Sequence, residues 1–308
     1  MKTGFYELDD IINLNKQQLI VCSSVDNVIE AFLINIFKNI VIDQKRAALY
    51  IDNCLVKDDC SDIIKKKREM LFENKKYEME LIPEFIDIAD NILDDIIANI
   101  TMVDRLKLFN NRIVEKILNE QEIRHLKEDN KIKLIEIINR KKYIITIELL
   151  SEEEKNKIKK AESIIKTAPL ILRNIEKLTM RELKKMCYEY KTKYKIEIII
   201  LNNINIIKYQ EKIKILNELQ KLSQELNITI IVGYNIIIKD IISIEHELED
   251  IKNKCSYIDT ILFLKKEIEE IKDILHIWTM KNINKKLGKI DLLYLDEFKK
   301  CINLKNYN

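Results

Sequence analysis

Four stretches of this chain are almost unbroken runs of β-branched and other apolar residues: Gln18–Ser23, Ala47–Asp52, Ile196–Leu201 and Ile228–Val232. A strand with one wet face alternates apolar and polar residues. A run without that alternation predicts a strand covered on both faces, as in a parallel sheet. Parallel strands need long crossovers, and helical patterns stand where crossovers are required. Met180–Tyr194 places Leu183, Met186, Cys187 and Tyr190 on one face at spacings of three and four, with Thr179 and Glu182 forming a capping box at its start. Ile213–Leu226 repeats the pattern through Ile213, Leu216, Leu219, Leu222 and Leu226. Ser151, followed by Glu152, Glu153 and Glu154, marks another helix start, with its carboxylates against the positive end of the helix dipole. Three later runs, Thr260–Leu264, Leu275–Thr279 and Ile290–Leu295, with a turn at Lys286-Leu287-Gly288, predict antiparallel strands that finish one edge. The fold class is α/β, with a mostly parallel central sheet flanked by helices.

From about Cys60 to Arg140 the pattern changes. Ile86, Ile88, Ile92, Ile96 and Ile97 fit one helix face, and Ile113, Ile117 and Ile123 part of another. The run Lys65-Lys66-Lys67-Arg68 reads as solvated helix surface. Segment 60–140 is expected to be a helical insertion packed on or projecting from the core. With no low-complexity linker, residues 1–308 read as a single domain carrying that insertion. The charges nearly cancel, 53 basic against 51 acidic residues. That excludes a basic nucleic-acid coat while leaving room for a local basic groove. The cysteines form no CxxC pair and none stands at zinc spacing from His125, His246 or His276. They read as reduced core thiols, with no metal expected. Lys2–Asp10 holds no apolar run for a signal peptide, and Val28–Ile42 is too short and too polar to span a bilayer. A cytoplasmic protein without membrane contact is expected.

The turn out of the first strand carries the chemical question. It reads Ser24-Val25-Asp26-Asn27-Val28-Ile29-Glu30 and leads into an apolar helix from about Val28. A strand-to-helix turn of this kind binds phosphates when glycines let backbone N–H groups approach, a Lys reaches the outer phosphates and a Ser or Thr hydroxyl holds Mg²⁺. This turn has no glycine and no lysine, and it has two carboxylates. The whole chain holds only three glycines amid an excess of Ile, Lys and Asn. Compositional drift therefore accounts for part of the loss. Asp26 and Glu30 would satisfy the helix dipole internally and repel a triphosphate.

A series of landmarks in fixed order resembles the C-terminal ATPase domain of DnaB-type replicative DNA helicases. Thr3-Gly4-Phe5 with Leu8-Asp9 is similar to that domain's opening. Leu150-Ser151-Glu152-Glu153, Ala168-Pro169-Leu170 and Leu178-Thr179-Met180-Arg181-Glu182-Leu183 match its LS-x-E, APL and LT-x-x-E-[IL] landmarks. Ile196–Ile207 stands in the place of the Walker B strand, Asn227–Asn235 resembles the next strand, Ile258–Leu264 the AD-x-x-x-FL segment, Lys281–Gly288 the KQRNGPTG hairpin and Phe298–Leu304 the final F-x-N-L. The likeness covers roughly residues 3–55 and 145–304. Recombinase and clock-protein ATPases fit these landmarks less well. The resemblance implies a RecA-like P-loop NTPase core, ring assembly and single-stranded DNA held by channel-facing loops.

The departures fall on the chemistry. Val28, Ile29 and Glu30 take the places of the loop's Gly, Lys and Thr. Asn202 stands for the Walker B Asp, Asn53 for the catalytic Glu, Asn235 for a sensing Gln and Ile283 for the arginine finger. Asp52 is one residue early for the Glu and is expected on the opposite side of its strand. No ATP or Mg²⁺ is therefore expected, and no catalytic residue is assigned. Lys208, Lys239 and Lys281 are candidate DNA contacts, with a solvated surface charge the alternative for Lys208 and Lys239. Because Met1 directly precedes the core, the family's helical N-terminal domain is expected to be missing. The reading is a degenerate pseudo-helicase that joins, regulates or caps a DnaB-type ring in DNA replication, with itself, that ring and single-stranded DNA as partners. A structural scaffold using the 60–140 insertion, and a helicase subunit whose site a neighbour completes, stand as alternatives.

Overall fold

The computed structural model describes residues 1–14, 17–52, 79–81, 92–105, 107–108, 131–138, 141–148, 150–175, 177–208, 211–236, 257–268, 272–284 and 286–304, the strands over 79–81, 131–138 and 141–148 by their backbone. The chain divides into two compact units, one of Met1–Cys54 with Ile164–Asn308 and one of Leu55–Ser163.

In chain order the elements are α1 (Tyr6–Asp9), β1 (Gln18–Ser24), α2 (Ile29–Lys38), β2 (Ala48–Asp52), β3 (Met79–Leu81), α3 (Ile92–Thr101), β4 (Lys131–Ile138), β5 (Lys141–Glu148), α4 (Glu152–Thr167), β6 (Leu170–Asn174), α5 (Met180–Tyr194), β7 (Ile198–Leu201), α6 (Lys212–Leu226), β8 (Thr229–Asn235), β9 (Thr260–Ile268), β10 (Asp273–Asn282), β11 (Lys289–Leu295) and β12 (Lys300–Asn303). The larger unit holds a nine-stranded sheet in the order β12-β11-β10-β9-β1-β8-β7-β2-β6. From β6 to β9 every described pairing is parallel, and β10, β11 and β12 then add antiparallel strands at one side.

The four apolar runs became the inner strands, buried along their whole length. Alternation sends Leu19, Val21, Leu49, Ile51, Ile199, Leu201, Ile230 and Val232 to one face, where Leu183 and Cys187 of α5 and Leu216 and Leu219 of α6 pack. The Tyr50 ring points to the other face and meets Phe37 of α2 at 5.2 Å. Eight of the ten residues of α2 are buried, so it is a core helix rather than a surface one. Its one buried amide, Asn35, donates to the carbonyls of Ala31 and Lys299 at 2.7 and 2.8 Å and accepts from the N–H of Cys301 at 3.2 Å, tying α2 to β12. The expected capping box opens α5, with Thr179 N–H donating to Glu182 Oε2 at 2.7 Å and Glu182 N–H returning to Thr179 Oγ1 at 3.3 Å. Ser151 and Glu154 cap α4 in the same reciprocal way, at 3.2 and 2.8 Å. No described helix is long and apolar enough to cross a membrane.

The smaller unit differs from the helical segment expected there. Helix α3 carries Ile92, Ile96 and Ile97. The described residues also include a three-stranded sheet in which β3 runs parallel to β4 and β4 pairs antiparallel with β5. Lys131-Ile132-Lys133-Leu134 alternates with the period of two that a half-exposed strand requires, a pattern hidden by isoleucines present throughout the chain. Ile86, Ile88, Ile113, Ile117, Ile123 and the run 65–68 lie outside the described residues.

Candidate functional site

β1 ends at Ser24 and α2 begins at Ile29, so the turn between them is Val25–Val28. Val28 and Ile29 are only 2% and 3% exposed. The Ile29 side chain lies along β8. Its Cγ2 is 2.9 Å from the point where a Cβ on Gly233 would stand, and the Asn202 carbonyl oxygen is 1.9 Å from the same point. Glycine is required at 233 because α2 and the segment after β7 both close on it. The aliphatic side chain at the expected lysine position thus fills the space over the strand ends.

The turn's polar groups are satisfied within the chain. Asp26 N–H donates to Ser24 Oγ at 2.9 Å, and Asp26 Oδ2 accepts the backbone N–H of Lys266 at 2.9 Å, pinning the turn to β9. The Lys266 ammonium is turned elsewhere, 3.4 Å from Asp273 and over the Tyr294 ring at 5.5 Å. Glu30 lies close enough to Tyr294 for its charge to add to the effect of burial, which is the main reason that phenol is held un-ionised well above its ordinary range. Val28, at the helix N-cap, supplies no side-chain cap. The turn from Val25 to Glu30 therefore offers a triphosphate no cationic side chain and no hydroxyl, and it presents two carboxylates. These residues do not fit the Mg²⁺–nucleotide group of a phosphate-binding loop.

Register brings several expected positions together. Ser24 pairs with Asn235, and the Ile236 N–H donates to the Ser24 carbonyl at 2.8 Å. Asn202 follows β7, donating its N–H to the Ile51 carbonyl at 2.9 Å and its Nδ2 to Asp52 Oδ1 at 2.9 Å. Asp52, set aside in the sequence because its strand position is one residue early, is a buried partner of the Walker B position. The signal available was its place at the end of an inner strand, level with Asn202. Asn53 and Lys239 lie outside the described residues.

Lys208 donates its N–H to the Leu178 carbonyl at 2.9 Å. The Thr179 bonds to Glu182, with a smaller contribution from the Lys208 charge, hold that carboxyl below its usual range. Lys281 and Ile283 are not brought to the turn. Lys281 pairs with Ile261 near the start of β9, and Ile283 donates its N–H to the Asp259 carbonyl at 2.7 Å, just before that strand. Because β1 and β9 are parallel, this is the end of the sheet opposite Ser24, and Ile283 is 60% exposed there. Burial raises the thiol of Cys22 far above its usual range and that of Cys187 to about 12, so neither is a ready nucleophile.

Parallel inner strands, a strand-to-helix turn at the first of them and an antiparallel wing at one side define an α/β, RecA-like core. No family model matches the chain, and no curated protein does. Among solved structures it is similar to a DnaB-like replicative helicase, in a structure concerned with that protein's interactions with primase, at 13% identity and a TM-score of 0.60 over 98% of this chain. It is similar to a second structure, of an isolated helicase ATPase domain, at 14% identity and a TM-score of 0.58, covering 98% of this chain and 90% of that one. The chain has the fold of a DnaB-like helicase ATPase domain. It spans 61% of the length of the replicative helicase.

Proposed function

We propose that this chain is a DnaB-like module that takes part in DNA replication without hydrolysing ATP itself, joining or capping helicase subunits and holding single-stranded DNA. The observation that carries the proposal is the burial of Val28 and Ile29 at the α2 N-terminus, with Ile29 seated on β8 at Gly233. Re-exposing two such side chains to admit a triphosphate costs about 3–6 kcal/mol. That is roughly two to four orders of magnitude in affinity before the repulsion from Asp26 and Glu30 is counted. Asn202 and Ile283 add to it, since the metal ligand and the finger each contribute orders of magnitude of rate in P-loop enzymes. The test is ATP turnover by the purified chain with and without single-stranded DNA. The proposal expects no turnover above the uncatalysed background, and DNA-stimulated hydrolysis would overturn it.

A second reading is supported by the compact unit Leu55–Ser163, which has its own three-stranded sheet. In this reading the larger unit is a scaffold and the smaller one captures a partner. Deleting residues 60–140 should then abolish capture of a DnaB-type helicase in a pull-down while the far-ultraviolet circular dichroism of the core persists. Undiminished capture removes this reading.

A further inference from the structure

On the face of the large sheet away from α2, five neighbouring strands bring one residue each into a single row. Tyr234 of β8 pairs with Ser23 of β1, Ser23 with Phe263 of β9, Phe263 with Trp278 of β10, and Trp278 with Lys289 of β11. The rings of Phe263 and Trp278 are 5.9 Å apart and tilted by 35°, and the Lys289 ammonium lies 5.4 Å from the centre of the Trp278 ring. At the far end of the row, Lys212 lies 4.3 Å over the ring of Tyr234, which is buried. Phe263 and Trp278 are half-buried and keep part of their rings open.

The next row adds Lys265, which is exposed and has no ion-pair partner among the described residues, beside His276. The carboxylates on this part of the face are engaged. Asp291 and Glu267 meet the two ring nitrogens of His276 at 2.6 and 2.8 Å, and Asp291 also meets Lys289 at 3.3 Å. An open aromatic pair between lysines has the two components a single strand needs. Every nucleobase has a π-face to stack, and every linkage a phosphate for a cation.

We infer that Phe263 and Trp278 form a stacking platform for the bases of single-stranded DNA, with Lys265 and Lys289 placed for its phosphates. The platform rests on the DNA-holding part of the function proposed above and is independent of the β1–α2 turn. Trp278 is the chain's only tryptophan, so its emission reports on this face alone.

Titrating the full chain with an oligodeoxythymidine of about 20 nucleotides at low salt should quench that emission saturably, with weaker binding as salt rises. Phe263→Ala, and separately Lys265→Ala with Lys289→Ala, should each weaken binding roughly tenfold by anisotropy of an end-labelled oligonucleotide. Thermal melts of each variant separate lost binding from lost fold. Should Phe263→Ala not fold, the double lysine variant decides, because both lysines are at the surface, and unchanged binding there overturns the platform. An oligonucleotide that binds without altering Trp278 emission also overturns it while leaving DNA as a partner. No binding at about 50 mM salt overturns the platform and the DNA-holding reading together.

Discussion

Gly233→Ala probes the closest approach in the candidate site. The new Cβ would stand 1.9 Å from a backbone carbonyl oxygen, that of Asn202, and 2.9 Å from Ile29 Cγ2. A side chain could rotate away from such a contact. The Asn202 carbonyl cannot, because its peptide follows β7 and its N–H is fixed to Ile51. Relief therefore requires β7 and β8 to part by roughly an ångström, in an interior packed as densely as a crystal. Overpacking of this kind costs about 1–3 kcal/mol, and contact with fixed backbone places the cost at the upper end. Alanine returns about 0.5–1 kcal/mol by being less flexible than glycine in the unfolded chain. The net loss is about 2 kcal/mol, which lowers Tm by roughly 4–8 °C in a domain of this size.

Circular dichroism melts and urea titration of the purified variant would measure it. Ile29→Ala removes only the longer of the two contacts. The double variant should therefore be nearly additive, with a coupling below about 1 kcal/mol. A Gly233→Ala protein melting within about 1 °C of the parent would refute the close packing of α2, β8 and the Asn202 carbonyl.

Three other perturbations read separate parts of the account. Asp26→Ala removes the carboxylate that accepts the Lys266 N–H, so hydrogen exchange at Lys266 should rise, with a global loss of about 1.5–3 kcal/mol at most; unchanged protection would show that the turn is not pinned. Thr179→Ala removes the α5 cap and should cost about 1 kcal/mol in a urea titration. Burial alone would raise the carboxyls of Asp291 and Asp296, but bonds from His276 and Lys289 to the first, and from Lys299 and Tyr294 to the second, hold both below the usual range. Each binds its proton less readily folded than unfolded. The stability they add is present above the unfolded aspartate value of about 3.9 and is lost as pH falls through their lower folded values. Tm should drop across that acidic window, and Asp296→Asn should make the drop shallower; an identical slope in the variant would contradict this.

The inner sheet was legible because its strands are buried on both faces and carry unbroken apolar runs, and α5 and α4 because their caps are short-range chemistry. β6 was missed as a strand. It is an edge strand just after Pro169 and only partly buried, so its sequence shows neither a clean run nor a clean alternation. β4 and β5 were missed because isoleucine and lysine are spread evenly along the chain, which erases the contrast that separates a period of two from one of 3.6. At the site, the loss of loop glycines and lysine was plain from residues 24–30. What fills the space was not, because the seating of Ile29 on Gly233 depends on a contact between residues far apart in the sequence. The pairing of Asp52 with Asn202 was hidden for the same reason.

Direct binding of nucleotide tests the sealed turn more closely than any rate. Equilibrium dialysis of labelled ATP with Mg²⁺ against the purified chain, with single-stranded DNA present, should give no saturable uptake at millimolar nucleotide. Stoichiometric binding with a dissociation constant at or below about 0.1 mM, some 5.5 kcal/mol of affinity, would mean that Val28 and Ile29 yield to the phosphates, and the central claim would be wrong.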